Sequence, residues 1–290
     1  MKSFTSNDVI NYYDQTEIHY AMFWNLKKSK GLHYGIWDES TTSVYDAILN
    51  TNFLLMNLGE LKSSDTILDC GCGIGGSSIY LAKKLGCKVT GITLSAKQVS
   101  KAKELAKSES VERLVSFHEQ NYLATSFADN SFDVIWAIES FGTAPDKLLF
   151  FKEMFRLLKP GGKILFADTF KPFPYTIDEE IDMQIMLNGW AISDILSIDE
   201  LEKLAVENNF KFYKRKDVTK EIRKSVEKIY WASLLGMIGT KIYNLFKKAS
   251  YFSRIHYKTG LAQKKTYKNG KWGYYLVVYE TNKKINSIKV

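Results

Sequence analysis

The run Asp69-Cys70-Gly71-Cys72-Gly73-Ile74-Gly75-Gly76 puts a carboxylate and four glycines between an apolar run, Thr66-Ile67-Leu68, and an apolar-periodic segment that opens at Ile79. Glycine has no Cβ, so it takes positive φ at little cost and lets a ligand approach the main chain. A helix directly behind such a turn offers unpaired N–H groups and a positive dipole end. The chemistry implied is retention of a small polar ligand against backbone. Glu139 follows the apolar run 132–138. A carboxylate there can hold an amino group, take up a proton or stabilise a cation. His33 lies in the glycine-bracketed aromatic loop Gly31-Leu32-His33-Tyr34-Gly35-Ile36-Trp37 and is a second base candidate. His118 and His256 receive no role. Cys70, Cys72 and Cys87 form an odd set without spaced pairs, which reads as reduced thiols. No second ligand pair follows Cys70-x-Cys72 at zinc spacing, so no metal site is expected.

The elements that must position these residues alternate. Strands are expected at 66–69, 88–93, 114–118, 132–138 and 163–168, with helices at 76–85, 95–106 and 147–158 between them. Lys159-Pro160-Gly161-Gly162 stops the last helix. Such alternation implies parallel βαβ units with right-handed crossovers. Ligands then bind beyond the carboxyl ends of the strands, at the switch point beside the first strand, where the glycine turn lies. Before this core, 6–30 reads as an aromatic-rich helix and 41–60 as a second helix. After it, 170–196 reads as irregular, 197–206 as a helix, 210–217 as a strand, 219–250 as helical and 272–280 as a strand. The tail 283–290 reads as disordered. The fold class is therefore α/β: a Rossmann-like, doubly wound, seven-stranded, mostly parallel sheet, with an N-terminal helical lid (1–60) and a helical cap insertion. One domain is expected over 1–290, with the ligand-binding core at 61–170 and substrate-side insertions and the last strands at 171–290.

The chain has 290 residues, 45% of them hydrophobic and 25% charged, with a formal net charge of +8. That length supports a sizeable core. The basic balance suits an anionic small molecule or peripheral contact with a membrane surface. The lysines are scattered and no nucleic-acid motif is present, so no nucleic-acid partner is expected. The N-terminus lacks a signal-peptide core, and 229–246 is too interrupted for a spanning helix, which points to a cytoplasmic protein.

A dinucleotide turn would carry an acidic residue at the end of the second strand, where Thr93 and Leu94 stand here. No phosphate-loop pattern is present either. The turn must serve something other than a pyrophosphate. Residues 67–78 resemble motif I of the class I S-adenosylmethionine-dependent methyltransferases. The runs Phe127-Ala128-Asp129-Asn130-Ser131-Phe132-Asp133-Val134-Ile135-Trp136 and Leu157-Leu158-Lys159-Pro160-Gly161-Gly162-Lys163-Ile164-Leu165 resemble the strand-four and post-helix blocks of the same superfamily. His33-Tyr34-Gly35-Ile36-Trp37, Gly91-Ile92-Thr93-Leu94-Ser95 and Ala137-Ile138-Glu139-Ser140 are similar to the tocopherol and sterol C-methyltransferase group, with cyclopropane fatty-acid synthases as relatives. The likeness covers about residues 10 to 170.

The resemblance implies S-adenosylmethionine as cofactor. Gly71, Cys72, Gly73 and Gly75 would lie along its methionine part, with Asp69 orienting the turn. Thr93, Leu94 and Gln98 would take ribose and adenine, Asn121 the adenine amine, and Tyr122 would stack. Tyr34 and Tyr13 would close over the sulfonium end. Glu139 would serve as catalytic carboxylate or hold the cofactor's amino group, with Tyr34 and His33 beside it. Trp37, Phe141, Phe170, Trp190 and Trp231 would line an apolar acceptor pocket. Relatives often carry a histidine in the segment matching Phe141-Gly142-Thr143-Ala144, and this chain does not. The expected reaction is methyl transfer to a lipophilic acceptor, terpenoid, sterol-like or prenyl, at carbon. Oxygen or nitrogen methylation, cyclopropanation of acyl chains and a non-catalytic cofactor-binding module are the alternatives.

Overall fold

The structure, a computed structural model, describes residues 2–5, 7–12, 30–177, 180–246 and 251–284, with backbone alone at 239–246 and 253–254. Helix α1 (Val44–Gly59) precedes the core. Then follow β1 (Thr66–Cys70), α2 (Gly76–Leu85), β2 (Lys88–Thr93), α3 (Ala96–Ser108), β3 (Val115–Glu119), β4 (Phe132–Ile138), α4 (Lys147–Leu157) and β5 (Leu158–Phe170). The remainder is α5 (Ile181–Gly189), α6 (Ile198–Glu207), β6 (Phe210–Asp217), α7 (Arg223–Phe246), α8 (Tyr251–Lys268) and β7 (Gly273–Thr281).

The strands form one sheet in the order β3-β2-β1-β4-β5-β7-β6. Strands β1 to β5 pair in parallel, and β7 runs antiparallel between β5 and β6. The chain order reverses at β1, so the crevice between the β1 and β4 ends is the expected ligand position. Successive residues face opposite sides of the sheet. Ile67, Val134, Trp136, Leu165 and Ala167 join the layer containing α2 and α3. Leu68, Ile135, Ala137, Ile164 and Phe166 pack against Phe150, Phe151 and Met154 of α4 and Leu201 of α6. Both faces are covered, so the central strands read as continuous apolar runs.

Local signals set the helix starts. Ser43 and Ser197 form capping boxes with Asp46 and Glu200, and Ser95 and Asp146 cap α3 and α4. Three expectations are corrected. The stretch 170–196 contains α5, whose apolar Met183, Met186 and Leu187 give no amphipathic stripe to read. The helical stretch expected from 219 begins at Arg223, and a further helix, α8, packs on it. Strand β5 starts at Leu158 rather than 163, because Phe132 pairs with Leu158 and Val134 with Lys163, leaving Lys159–Gly162 as an irregularity inside the strand. The expected helix at 6–30 and the tail at 283–290 fall largely outside the described residues; 7–12 is helical.

Candidate active site

The glycine turn is folded onto β2. The Gly71 and Cys72 amides both donate to the Ile92 carbonyl at 2.9 Å. Gly71 and Gly75 have φ of +79° and +84°, and a Cβ at either would stand 2.6 Å from Ser140 or Phe117. Only glycine satisfies both the dihedral and the approach. Gly73 differs, because a Cβ there would meet nothing within 4 Å. It borders open space. Gly75 caps helix α2 without a side-chain hydrogen bond, so the amides of its first turn have no side-chain cap. Asp69 is buried under the turn and accepts from Ser78 Oγ at 2.6 Å; burial pushes its pKa up to about 7.

A cavity of about 610 Å³ opens over this turn. The ends of β1, β2 and β4 supply its floor through Asp69, Gly71, Cys72 and Gly73, then Thr93 and Leu94, then Glu139 and Ser140. Thr93 Oγ1 donates to Gln98 Oε1 at 2.5 Å, presenting a paired hydroxyl and amide at the β2 side. Tyr122 also lines the cavity; its hydroxyl donates to the Ser140 carbonyl at 3.1 Å. Asn121 lies elsewhere, in a shallow depression beyond β3, with Oδ1 accepting from the Leu123 amide. Gln120, its neighbour, borders both that depression and the cavity. Tyr13 lies outside the described residues.

A second cavity of about 80 Å³ adjoins the first, and Leu32, His33, Glu139 and Thr143 border both. Glu139 ends β4 with φ +46°. Its Oε1 accepts from the Tyr34 amide at 2.5 Å and from the Tyr274 hydroxyl at 2.8 Å. Burial, with Asp168 nearby, pushes its pKa up to about 8. Tyr34 is buried, its hydroxyl accepts from Gln263 Nε2, and its ring packs edge-on against Trp190 and Tyr274. His33 is 6% exposed, and burial pushes its pKa down to about 4, so the ring is neutral near pH 7. Its Nδ1 lies 3.0 Å from the Tyr34 carbonyl, which can only accept. The proton therefore sits on Nδ1, and Nε2 is a buried acceptor with no partner.

Sequence reasoning gave Asp168 no role. It closes the far side of the small cavity, accepting from the Gly142 amide at 3.0 Å and the Thr169 amide at 2.8 Å. Burial raises its pKa to about 6, against the pull of Lys147. Tyr274 and Gln263 were also missed, because they reach the site from β7 and α8, more than 100 residues away. Of the aromatic residues expected at the acceptor, Trp190 lines the small cavity. Phe141 and Phe170 sit instead in the ring cluster with Phe150 and Phe166 on the α4 face of the sheet. Trp37 is tied to Ser225 Oγ at 2.9 Å, away from both cavities, and Trp231 is 61% exposed on α7. Among the described residues no cluster of side chains could hold a metal ion, and no helix is long and apolar enough to cross a membrane.

Residues 68–166 match the family described as methyltransferase domain. The chain is 43% identical over 133 residues to 2-methyl-6-phytyl-1,4-hydroquinone methyltransferase of Synechocystis sp.. That match covers 46% of this chain and 38% of the relative, well under half of its length. Among solved structures, the [4+2]-cyclase SpnF superposes with a TM-score of 0.79 at 20% identity, covering 97% of both chains. Geranyl diphosphate C-methyltransferase from Streptomyces coelicolor A3(2), with geranyl diphosphate, Mg2+ and S-adenosyl-L-homocysteine, superposes with a TM-score of 0.72 at 20% identity, covering 95% of this chain and 97% of that one. At such identities these superpositions speak for the fold alone.

Proposed function

We propose, from the premise that this chain belongs to the class I S-adenosylmethionine-dependent methyltransferases, that it moves a methyl group from S-adenosylmethionine to carbon of a lipophilic small molecule. The residues present fit the cofactor. Open space beside Gly73 would be filled by any Cβ, the α2 amides carry no side-chain cap, and the paired Thr93 and Gln98 offer polar atoms at the far end. The backbone at Gly71, Cys72 and Gly73 would hold the amino-acid part, and Thr93, Leu94 and Gln98 the nucleoside. Bound there, the cofactor supplies a methyl group already activated on a sulfonium.

The protein then has three tasks. The cavity wall excludes water and aligns the acceptor for in-line displacement. An acceptor carbon that received this methyl group would gain positive charge. Glu139 and the ring faces of Tyr34 and Trp190 stabilise that charge. The Glu139 carboxylate finally removes a proton from the methylated carbon, and the electron pair returns to the acceptor. One observation carries this reading: Glu139 stands on the wall common to both cavities, with Oε1 fixed by Tyr34 and Tyr274. The phytyl hydroquinone named for the Synechocystis relative supports a lipophilic acceptor.

The test supplies methyl-labelled S-adenosylmethionine and a cell extract to the wild type and to Glu139→Gln. Label should enter the organic phase. The variant should bind cofactor normally and turn over about 100-fold or more slowly. Near-normal turnover by Glu139→Gln would sink the assignment. Methylation at oxygen or nitrogen is the second reading, favoured by the unprotonated, unpartnered His33 Nε2. Mass spectrometry of the new bond separates the two.

A further inference from the structure

We infer that His33, Glu139 and Asp168 form a subsite that selects an acceptor bearing a hydrogen-bond donor, a hydroxyl or amino group, and rejects a phosphate or diphosphate. This rests on the methyl-transfer reading above and names the substrate class for it. The small cavity is asymmetric in its hydrogen-bonding character. Glu139 and Asp168 offer carboxylate oxygens from the ends of β4 and β5, and both border the same space. His33 borders both cavities, and its Nε2 is a buried acceptor without a hydrogen-bond partner. A buried lone pair without a donor costs free energy that a ligand donor would recover. The Thr143 hydroxyl at the rim is itself spent on the Ser140 carbonyl at 2.8 Å.

Among the described residues no lysine or arginine lines this cavity. The two nearby ammonium groups are turned elsewhere. Lys147 Nζ donates to the Gly142 and Ala144 carbonyls at 2.8 and 2.7 Å. Lys171 Nζ faces the Tyr175 carbonyl, Glu200 and Asp194. An anion placed here would meet the Asp168 carboxylate, with no cationic side chain lining the cavity to neutralise it. A phenol, alcohol or amine could donate to the Asp168 carboxylate, and the apolar Leu32, Trp190, Ile192 and Ile229 would take its hydrocarbon part. For a phenol, transfer of its proton towards this subsite also enriches the ring carbon that receives the methyl group. The subsite thus connects recognition with the reaction.

The experiment divides one cell extract into three before adding protein and methyl-labelled S-adenosylmethionine. One portion is untreated, one is acetylated to cap hydroxyl and amino groups, and one is treated with phosphatase. The inference expects acetylation to remove at least tenfold of the organic-phase label and phosphatase to leave it within twofold. Label that survives acetylation, or is lost with phosphatase, overturns it. Absence of label from the untreated portion, with S-adenosylmethionine bound, refutes the methyl-transfer reading itself. His33→Phe and Asp168→Asn are measured alongside. Each should raise the KM for the acceptor about tenfold and leave S-adenosylhomocysteine affinity within twofold. Unchanged KM in both variants overturns the subsite, and titration of S-adenosylhomocysteine separates that result from misfolding.

Discussion

Replacing Glu139 by Gln should make the protein more stable at alkaline pH, while disabling it. A carboxyl whose folded pKa lies above its unfolded value is favourable only while protonated. Its contribution is intact below the unfolded pKa and is lost as pH rises through the folded one. For Glu139 those limits are the ordinary 4.5 and about 8. At about 1.4 kcal/mol per unit, the ionised group costs the folded state up to about 5 kcal/mol above pH 8. Solvent in the adjoining cavities screens part of that, leaving roughly 2–3 kcal/mol as the lower figure. Gln keeps the shape, and its Oε1 can still accept from the Tyr34 amide and the Tyr274 hydroxyl. With about 2 cal/mol/K of unfolding entropy per residue, the gain is roughly 4–8 °C in Tm. The assay is thermal unfolding of both proteins from pH 5 to pH 9. The two curves should nearly coincide at pH 5, separate steadily between pH 5 and 8, variant above wild type, and keep a constant gap above about 8. A constant difference from pH 5 to pH 9 would refute the assignment of a burial-raised carboxyl. In the proposed mechanism the same group is ionised to take a proton, so wild-type kcat/KM should climb with pH towards a midpoint near 8.

Other positions give independent outcomes. Gly73→Ala should cost only about 1 kcal/mol of stability, since its Cβ meets nothing, yet weaken S-adenosylmethionine binding at least tenfold by calorimetry. Gly71→Ala drives a Cβ into Ser140 at 2.6 Å and should lower Tm as well as binding. Trp37→Phe removes the bond to Ser225 and should cost about 1–2 kcal/mol in denaturant unfolding, with KM for the acceptor unchanged. Cys70, Cys72 and Cys87 are buried, with burial pushing all three thiols above their ordinary pKa. A disulfide reagent at pH 8 should label none of them in the folded protein and all of them after denaturation.

The sequence by itself determined the succession of strands and helices up to β5 and the place of the glycine turn. Both follow from local rules: apolar runs alternating with amphipathic segments, glycines where positive φ is needed, and capping serines before helices. It also determined that Glu139 ends a strand beside that turn. The tertiary structure decided which side chains share the cavities with it. Tyr274 and Gln263 come from β7 and α8, and no local pattern marks them. Asp168 reads as the last residue of a strand until the chain brings Gly142 and the small cavity to it. The aromatic residues show the same limit: Phe141 and Trp190 look equally suited to an acceptor wall, but the loop after β4 carries Phe141 into the α4 layer, whereas Trp190, at the end of α5, lines the small cavity. Spacing along the chain fixes the face of an element, whereas the company a buried polar atom keeps depends on contacts between residues far apart in sequence. That is why the methyltransferase fold was legible from motifs and the set of residues sharing the small cavity was not.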